Sequence, residues 1–236
     1  MIILLIVLFA IATYVSLVVV KPLSGRIIAG TISLLLLSGS VLILTMHISQ
    51  NWGMKEVTTT TTKNIYTAGE TSAPYGMMIK AEIGQGTNNY VLIYRTSANE
   101  KKPSVNFKPN ASSIDKIVTA VKKSATYKLT DTTTAKAVTK TTRLTYSSAM
   151  TKALFDWGTE NHRLVKQATV VEVPKDTWLV LTAGQVAKLQ KLAPQMQAQA
   201  AADPAKAAQM QALAKSDPTA YAKLQVSAIK QALGIN

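Results

Sequence analysis

The chain has no cysteine. Disulfides, thiolate nucleophiles and cysteine-ligated zinc are excluded, and no thiol chemistry ties the protein to a reducing compartment. Histidine is scarce: His47 and His162 are 115 positions apart, which gives no metal-ligand spacing. The sequence contains no G-x-S-x-G, no P-loop, no H-E-x-x-H and no S-x-x-K with a supporting second motif. Aromatic residues make up 6%, and no run of Arg and aromatics forms a nucleic-acid platform. Acid is in short supply too, with 12 Asp and Glu against 26 Lys and Arg. Residues 1–20 and 27–46 contain no charge of either sign.

Those two charge-free runs are the strongest signal present. At about 1.5 Å rise per residue, a helix of 20 residues is about 30 Å long, the thickness of a bilayer's hydrocarbon core. Neither run has the polar stripe of a soluble helix. A backbone in lipid must satisfy its own hydrogen bonds, so both are expected to be helical. A cleaved signal peptide fits poorly, because no basic residue precedes the first run and no A-x-A-like site ends it. Residues 1–46 are therefore expected to form a two-span transmembrane hairpin. Its short link carries Lys21 and Arg26, and basic residues in short loops stay on the cytoplasmic side. The expected placement is a multi-pass protein of a bacterial cell membrane with everything after Met46 extracytoplasmic. Trp52 suits the headgroup layer just beyond the second span. Ala12 with Ser16, and Ala29 with Ser33, are small-xxx-small pairs that let helices approach closely, although small residues are also common in spans.

All 12 acidic residues and 24 of the 26 basic ones follow Met46, so this part carries a net charge of +12. Basic charge attracts anionic lipid headgroups and anionic wall polymers within a Debye length of about 8–10 Å. Lys101 with Lys102, and Lys122 with Lys123, are the densest spots and the candidate anion contacts, against the alternative of an ordinary solvated face. No nucleic-acid partner is expected.

Residues 47–181 read as a mainly antiparallel β domain with one or two short helices, making the chain a membrane-anchored α+β protein. KEVTTTTTKNIYTA is β-branched and lacks helical period. YGMMIKAEIG and YVLIYRT flank GQGTNN, which predicts a hairpin over residues 76–96. SSIDKIVTAVKK aligns Ile114, Ile117, Val118 and Val121 on one helical face, with Ser112-x-x-Asp115 as its start. ALFDWGTENHRLVKQATVVEVP reads as strand, turn at residues 158–161, strand, and PKDTWLVLT as a last short strand. Residues 182–236 form an Ala/Gln-rich helical tail. Two 14-residue units begin Asp203-Pro204 and Asp217-Pro218, each an N-cap followed by the residue best tolerated at the first helical position. Thr182 starts an earlier helix that Pro194 ends or bends. The apolar faces of the tail are thin, so weak packing is expected.

No catalytic, cofactor-binding or metal-binding residue stands out. Asp156 and Glu160, flanking Trp157, read as a solvated turn rather than an acid/base pair. The charge-free hairpin around KPLSGR, the segment LFDWGTENHRLV and the ending PKDTWLVLT resemble a family of two-span membrane proteins of lactic-acid bacteria built on a domain of unknown function. The resemblance covers residues 1 to about 181. It implies an accessory role beside another membrane protein, since the family is similar in gene setting to small companions of multidrug efflux transporters. The expected function is thus a non-enzymatic accessory protein with an integral membrane partner. The alternative is an envelope-binding module for anionic wall polymer or lipid headgroups, and a third reading is an enzyme whose site only the fold reveals.

Overall fold

A computed structural model of the chain describes residues 1–156 and 161–235. The protein is mixed α+β, with its strands in two four-stranded sheets. It divides into two compact units, one of residues 1–58 with 142–165 and one of 59–141 with 166 onward.

The first unit begins with two apolar helices, α1 (Ile2–Val18) and α2 (Leu23–Gln50), which pack along each other. α2 is long and apolar enough to cross a membrane, and α1 is a shorter apolar helix of 17 residues. α2 extends past its charge-free core at both ends. Pro22, in extended conformation, delimits the start, and Asn51, at φ 54°, closes the end in left-handed geometry. Most of the large apolar side chains of both helices face outward, while Gly30, Ser33, Ser40 and His47 make the buried stripe of α2.

The rest of this unit is the start of β1 (Met54–Asn64), the end of β6 (Lys136–Tyr146), α4 (Ala149–Phe155) and the start of β7 (Arg163–Pro174). α4 replaces the strand expected before the turn. Its cause is local: the Ser148 hydroxyl accepts the Thr151 N–H at 3.1 Å, and the Thr151 hydroxyl accepts the Ser148 N–H at 3.1 Å. This reciprocal cap starts a helix that β-propensity alone does not anticipate. Phe155 ends it fully buried, against Ile2, Tyr146 and His47. Of the expected turn at residues 158–161, residues 158–160, Glu160 among them, lie outside the described residues, as does Trp157.

In the second unit lie the facing parts of the two sheets, ordered β1–β6–β7–β5 and β4–β3–β2–β8. β2 (Gly76–Glu82) and β3 (Tyr90–Tyr94) form the expected antiparallel hairpin, with Ile79 opposite Ile93 and Glu82 opposite Tyr90. In its connection Gly84 takes φ 83° and Asn88 φ 51°, a region most side chains avoid. β4 (Ser104–Asn106) extends this sheet on one edge.

The sheets are antiparallel-rich rather than wholly antiparallel. β8 (Trp178–Thr182) runs parallel to β2, and β5 (Lys123–Thr130) parallel to β7. Parallel neighbours need a long crossover, and several elements intervene in sequence in both cases. Met78, Leu92, Tyr94, Val171 and Val173 fill the space between the sheets, joined by Ile65, Ala135 and Ala137. β8 is covered on both sides: Trp178 and Val180 join that core, while Leu179 and Leu181 face helices.

Those helices are the tail. Thr182 and Gln185 form a capping box that starts α5 (Ala183–Ala201), which continues through Pro194. Asp203 and Asp217 cap α6 (Pro204–Ser216) and α7 (Pro218–Leu233), accepting N–H bonds at 3.1 and 2.9 Å. The thin apolar face is nonetheless sufficient to build a core, because Val226, Ile229 and Leu233 close on Leu179 and Leu181. The remaining helix, α3 (Ile114–Val121), is capped by Ser113, one residue after the expected Ser112.

Candidate functional site

Two cavities in the second unit share two walls. One, of about 380 Å³, lies between the segment after β4, the inner side of α3, the start of β5, and Gln167 and Thr169 on β7. The other, of about 430 Å³, is bounded by Thr61, Lys63 and Asn64 on β1, by Tyr94, Thr96 and Asn106, and by Ala137, Thr139 and Thr141 on β6. Phe107 and Gln167 line both.

The lining has one electrostatic character. Lys108, Lys116 and Lys123 border the first cavity and Lys63 the second, and no Asp or Glu lines either. Among the described residues, Lys63, Lys108 and Lys123 have no acidic partner, while Lys116 donates to the Ser112 hydroxyl at 3.0 Å. Ion pairs occur elsewhere in the unit: Lys136 with Glu172 at 3.3 Å, Lys175 with Asp131 at 2.6 Å, and Lys223 with Asp176 at 3.8 Å. The charge lining the two cavities is therefore of one sign and has no ion-pair partner among the described residues. The remaining polar lining consists of hydroxyls and amides, groups that donate and accept without carrying charge.

Local backbone explains how these walls are held. Phe107 sits at φ 64°, a left-handed conformation rare for a bulky residue and commonly found where a site constrains the chain. Its ring lies 6.4 Å from that of Tyr94. Burial pushes the Tyr94 hydroxyl up to a pKa of about 12. Asn89 ties the hairpin connection to β5 by accepting the Ala125 N–H at 2.8 Å. The Gln167 N–H donates to the Lys122 carbonyl at 2.8 Å, but its side-chain amide has no protein partner among the described residues.

α3 turns its sequence pattern inside out. Thr119 and Ala120 line the cavity, whereas Ile114, Ile117, Val118 and Val121 point outward, 79%, 45%, 47% and 78% exposed. Its apolar row does not join the core.

Of the four lysines singled out from sequence, only Lys123 reaches a cavity. Lys122 caps the end of α3, and its carbonyl is bound by Gln167. Lys101 and Lys102 are exposed in the β3–β4 connection. Beside them the Glu100 carboxyl is held below its ordinary range, first by the Thr96 hydroxyl, then by the Thr96 amide and the Ser104 hydroxyl. Lys63, Lys108 and Lys116 escape a sequence reading because each stands alone in sequence, and only folding brings them to the cavities.

In the first unit, Lys21 and Arg26 are exposed at the link between α1 and α2. The Ser16 and Ser33 hydroxyls bond carbonyls of their own helices, at Ala12 and Gly30. Ser33 is buried, Ala12, Ser16 and Ala29 are half-buried, and Gly30 makes the closest approach: a Cβ there would overlap Leu17. Trp52 is 40% exposed, with its ring nearly perpendicular to that of Phe155 and its carbonyl 2.7 Å from His47 Nδ1. No cluster of three metal-ligating side chains occurs among the described residues.

A family model described as a domain of unknown function (DUF4811) matches residues 23–189. The match runs from the start of α2 into α5 and contains every residue lining the two cavities. Neither the curated proteins nor the solved structures hold a match to the chain.

Proposed function

Since the chain belongs to the DUF4811 family over a stretch that includes both cavities, we propose that it is a non-enzymatic, membrane-anchored module binding anionic groups of the cell envelope. In this reading α1 and α2 are two spans and the α+β domain lies on the extracytoplasmic side, in the lactic-acid-bacterial setting that the resemblance of the sequence implies. One observation carries it: four lysines line the two cavities with no carboxylate among the lining residues. Such a site attracts anions at long range and holds them with short, charge-assisted hydrogen bonds. The second reading, an accessory subunit of an integral membrane transporter, is favoured by the outward apolar row on α3. An exposed row of this kind marks a contact surface.

The test uses the full-length chain in mild detergent. On the first reading it binds purified anionic wall polymer or anionic lipid, and binding weakens as ionic strength rises. Salt-insensitive co-purification of a membrane protein at fixed stoichiometry, with no polyanion bound, would establish the second reading instead.

A further inference from the structure

The two cavities are not two independent sites. They share Phe107 and Gln167, and they carry cations at both ends of that shared wall, Lys63 on one side and Lys108 and Lys123 on the other. A small compact anion would engage one group of lysines and leave the other unused. A chain-like anion could engage both, crossing the shared wall. The geometry points to a flexible, hydroxyl-bearing polyanion, with phosphodiester groups alternating with polyol or sugar units, as the ligand of the combined trough. This rests on the reading of the domain as an anion-binding module and specifies what it binds.

Three features of the lining fit this class. First, the charge is diluted by neutral polar groups, with the hydroxyls of Thr61, Thr139 and Thr141 lining the same cavity as Lys63. Alternating charged and hydroxylated ligand units match such a mixed lining. Second, the side-chain amide of Gln167 has no protein partner among the described residues, although it borders both cavities. A ligand hydroxyl crossing between them would pair with it in place of water. Third, Phe107 is held at φ 64°, which fixes the shared wall at some conformational cost. Nucleic acid is disfavoured by the same wall. Bases need open aromatic faces for stacking, whereas Phe107 is half-buried in the core cluster and Tyr94 is 3% exposed.

The source of the phosphodiester could be a free polymer or a lipid headgroup, and the trough favours the polymer because a headgroup offers a single repeat. The experiment takes the full-length chain in neutral phosphatidylcholine nanodiscs. Poly(glycerol phosphate), glycerol phosphate monomer, neutral dextran and single-stranded RNA are titrated against it, and a second set of discs contains phosphatidylglycerol. The oligomer should bind at least ~10-fold more tightly than the monomer, because its second contact is intramolecular. Dextran and RNA should bind more weakly than the oligomer. Lys63→Gln and the pair Lys108→Gln with Lys123→Gln should each weaken the oligomer, whereas the monomer, which fills one group of lysines, should be weakened by only one of the two. Lys188→Gln on α5, away from the trough, is the control and should change nothing. Equal affinity for monomer and oligomer, RNA binding as tight as the polymer, or equal effects of all the lysine variants would overturn the trough while leaving a general anion-binding role intact. Phosphatidylglycerol discs that block the oligomer at the same lysines would assign the site to lipid. No binding of any polyanion or anionic lipid would remove both the trough and the function it rests on.

Discussion

His47, near the end of α2, stacks on Phe155 at the end of α4, with ring centroids 4.0 Å apart and planes 11° from parallel. The contact fastens the apolar helix pair to the folded part of the same unit. The Tyr146 ring also stacks near His47, at 6.2 Å, and its hydroxyl donates to the Phe155 carbonyl at 3.0 Å, which holds the receiving pocket together. Phe155 is fully buried, so Phe155→Ala should cost about 3–5 kcal/mol. Phe155→Leu should cost less, because it keeps most of the apolar volume. Chemical denaturation of the detergent-solubilised chain measures both. Equal losses would show that ring stacking, not volume, dominates the site.

Trp178 lies across the backbone of Gly76, where β8 pairs with β2, and a Cβ on Gly76 would overlap its indole. Gly76→Ala therefore requires the ring or the strand to move, at a cost of about 1–3 kcal/mol. The companion variant Trp178→Ala removes the obstacle. The two losses should be markedly non-additive in a double-mutant cycle. Strict additivity would mean that the contact is not felt.

The helical tail is the clearest case of a partly legible element. Its caps are local chemistry, and Thr182, Asp203 and Asp217 start helices where the sequence predicts them. Its packing is not local. Val226, Ile229 and Leu233 look like a thin stripe until they close on Leu179 and Leu181, which come from a strand some 45 residues earlier. The same distinction explains α3 and α4. An apolar row at 114, 117, 118 and 121 predicts a helix but not that its face points outward. The α4 segment, rich in large apolar residues, predicts a strand unless the Ser148–Thr151 cap is weighed. The cavity lysines are the least legible: only Lys123 stands out in sequence, since Lys63, Lys108, Lys116 and Lys123 lie on β1, the loop after β4, α3 and β5.

Truncation tests the tail directly. Removing residues after 216 deletes α7 and exposes Leu179 and Leu181, both fully buried. The shortened chain should lose cooperative unfolding or fall sharply in melting temperature. Hydrogen exchange of the full chain should show α7 amides protected to a degree comparable with β2. Rapid exchange throughout α7 alongside a protected β2 would contradict the packing.

Alkaline pH should destabilise the second unit through Tyr94. Its pKa is raised from 10.0 to about 12 by burial. Between those values the unfolded chain loses the phenolic proton and the folded chain keeps it. The unfolded state then binds fewer protons, so stability falls as pH rises. The contribution is complete below pH 10 and is lost progressively as pH rises toward about 12. Tyr94→Phe should remove this part of the pH dependence. Denaturant midpoints of the variant and the parent, compared across the alkaline range, would show whether the two curves diverge.

The orientation of the helix pair is testable with chemistry that the chain itself permits. Lys21 and Arg26 are the only charged side chains before Lys55, and both lie in or beside the short link between α1 and α2. Ile2 of α1 and His47 of α2 both border Phe155, so the link is at the far end of the pair from α4. Moving a basic link across a membrane is disfavoured, so on the proposed two-span reading the link is expected in the cytoplasm and the residues after α2 outside. Because the chain has no cysteine, one introduced thiol reports one position without background. Ser216→Cys, at the exposed end of α6, should react with a membrane-impermeant maleimide in intact cells. Ser24→Cys, in the first turn of α2, should react only after permeabilisation. Replacing Lys21 and Arg26 together by Gln should produce a mixed population in which both sites react in part. The reverse pattern in the parent chain, with Ser24→Cys labelled in intact cells and Ser216→Cys protected, would place the cavities in the cytoplasm and exclude an extracytoplasmic ligand.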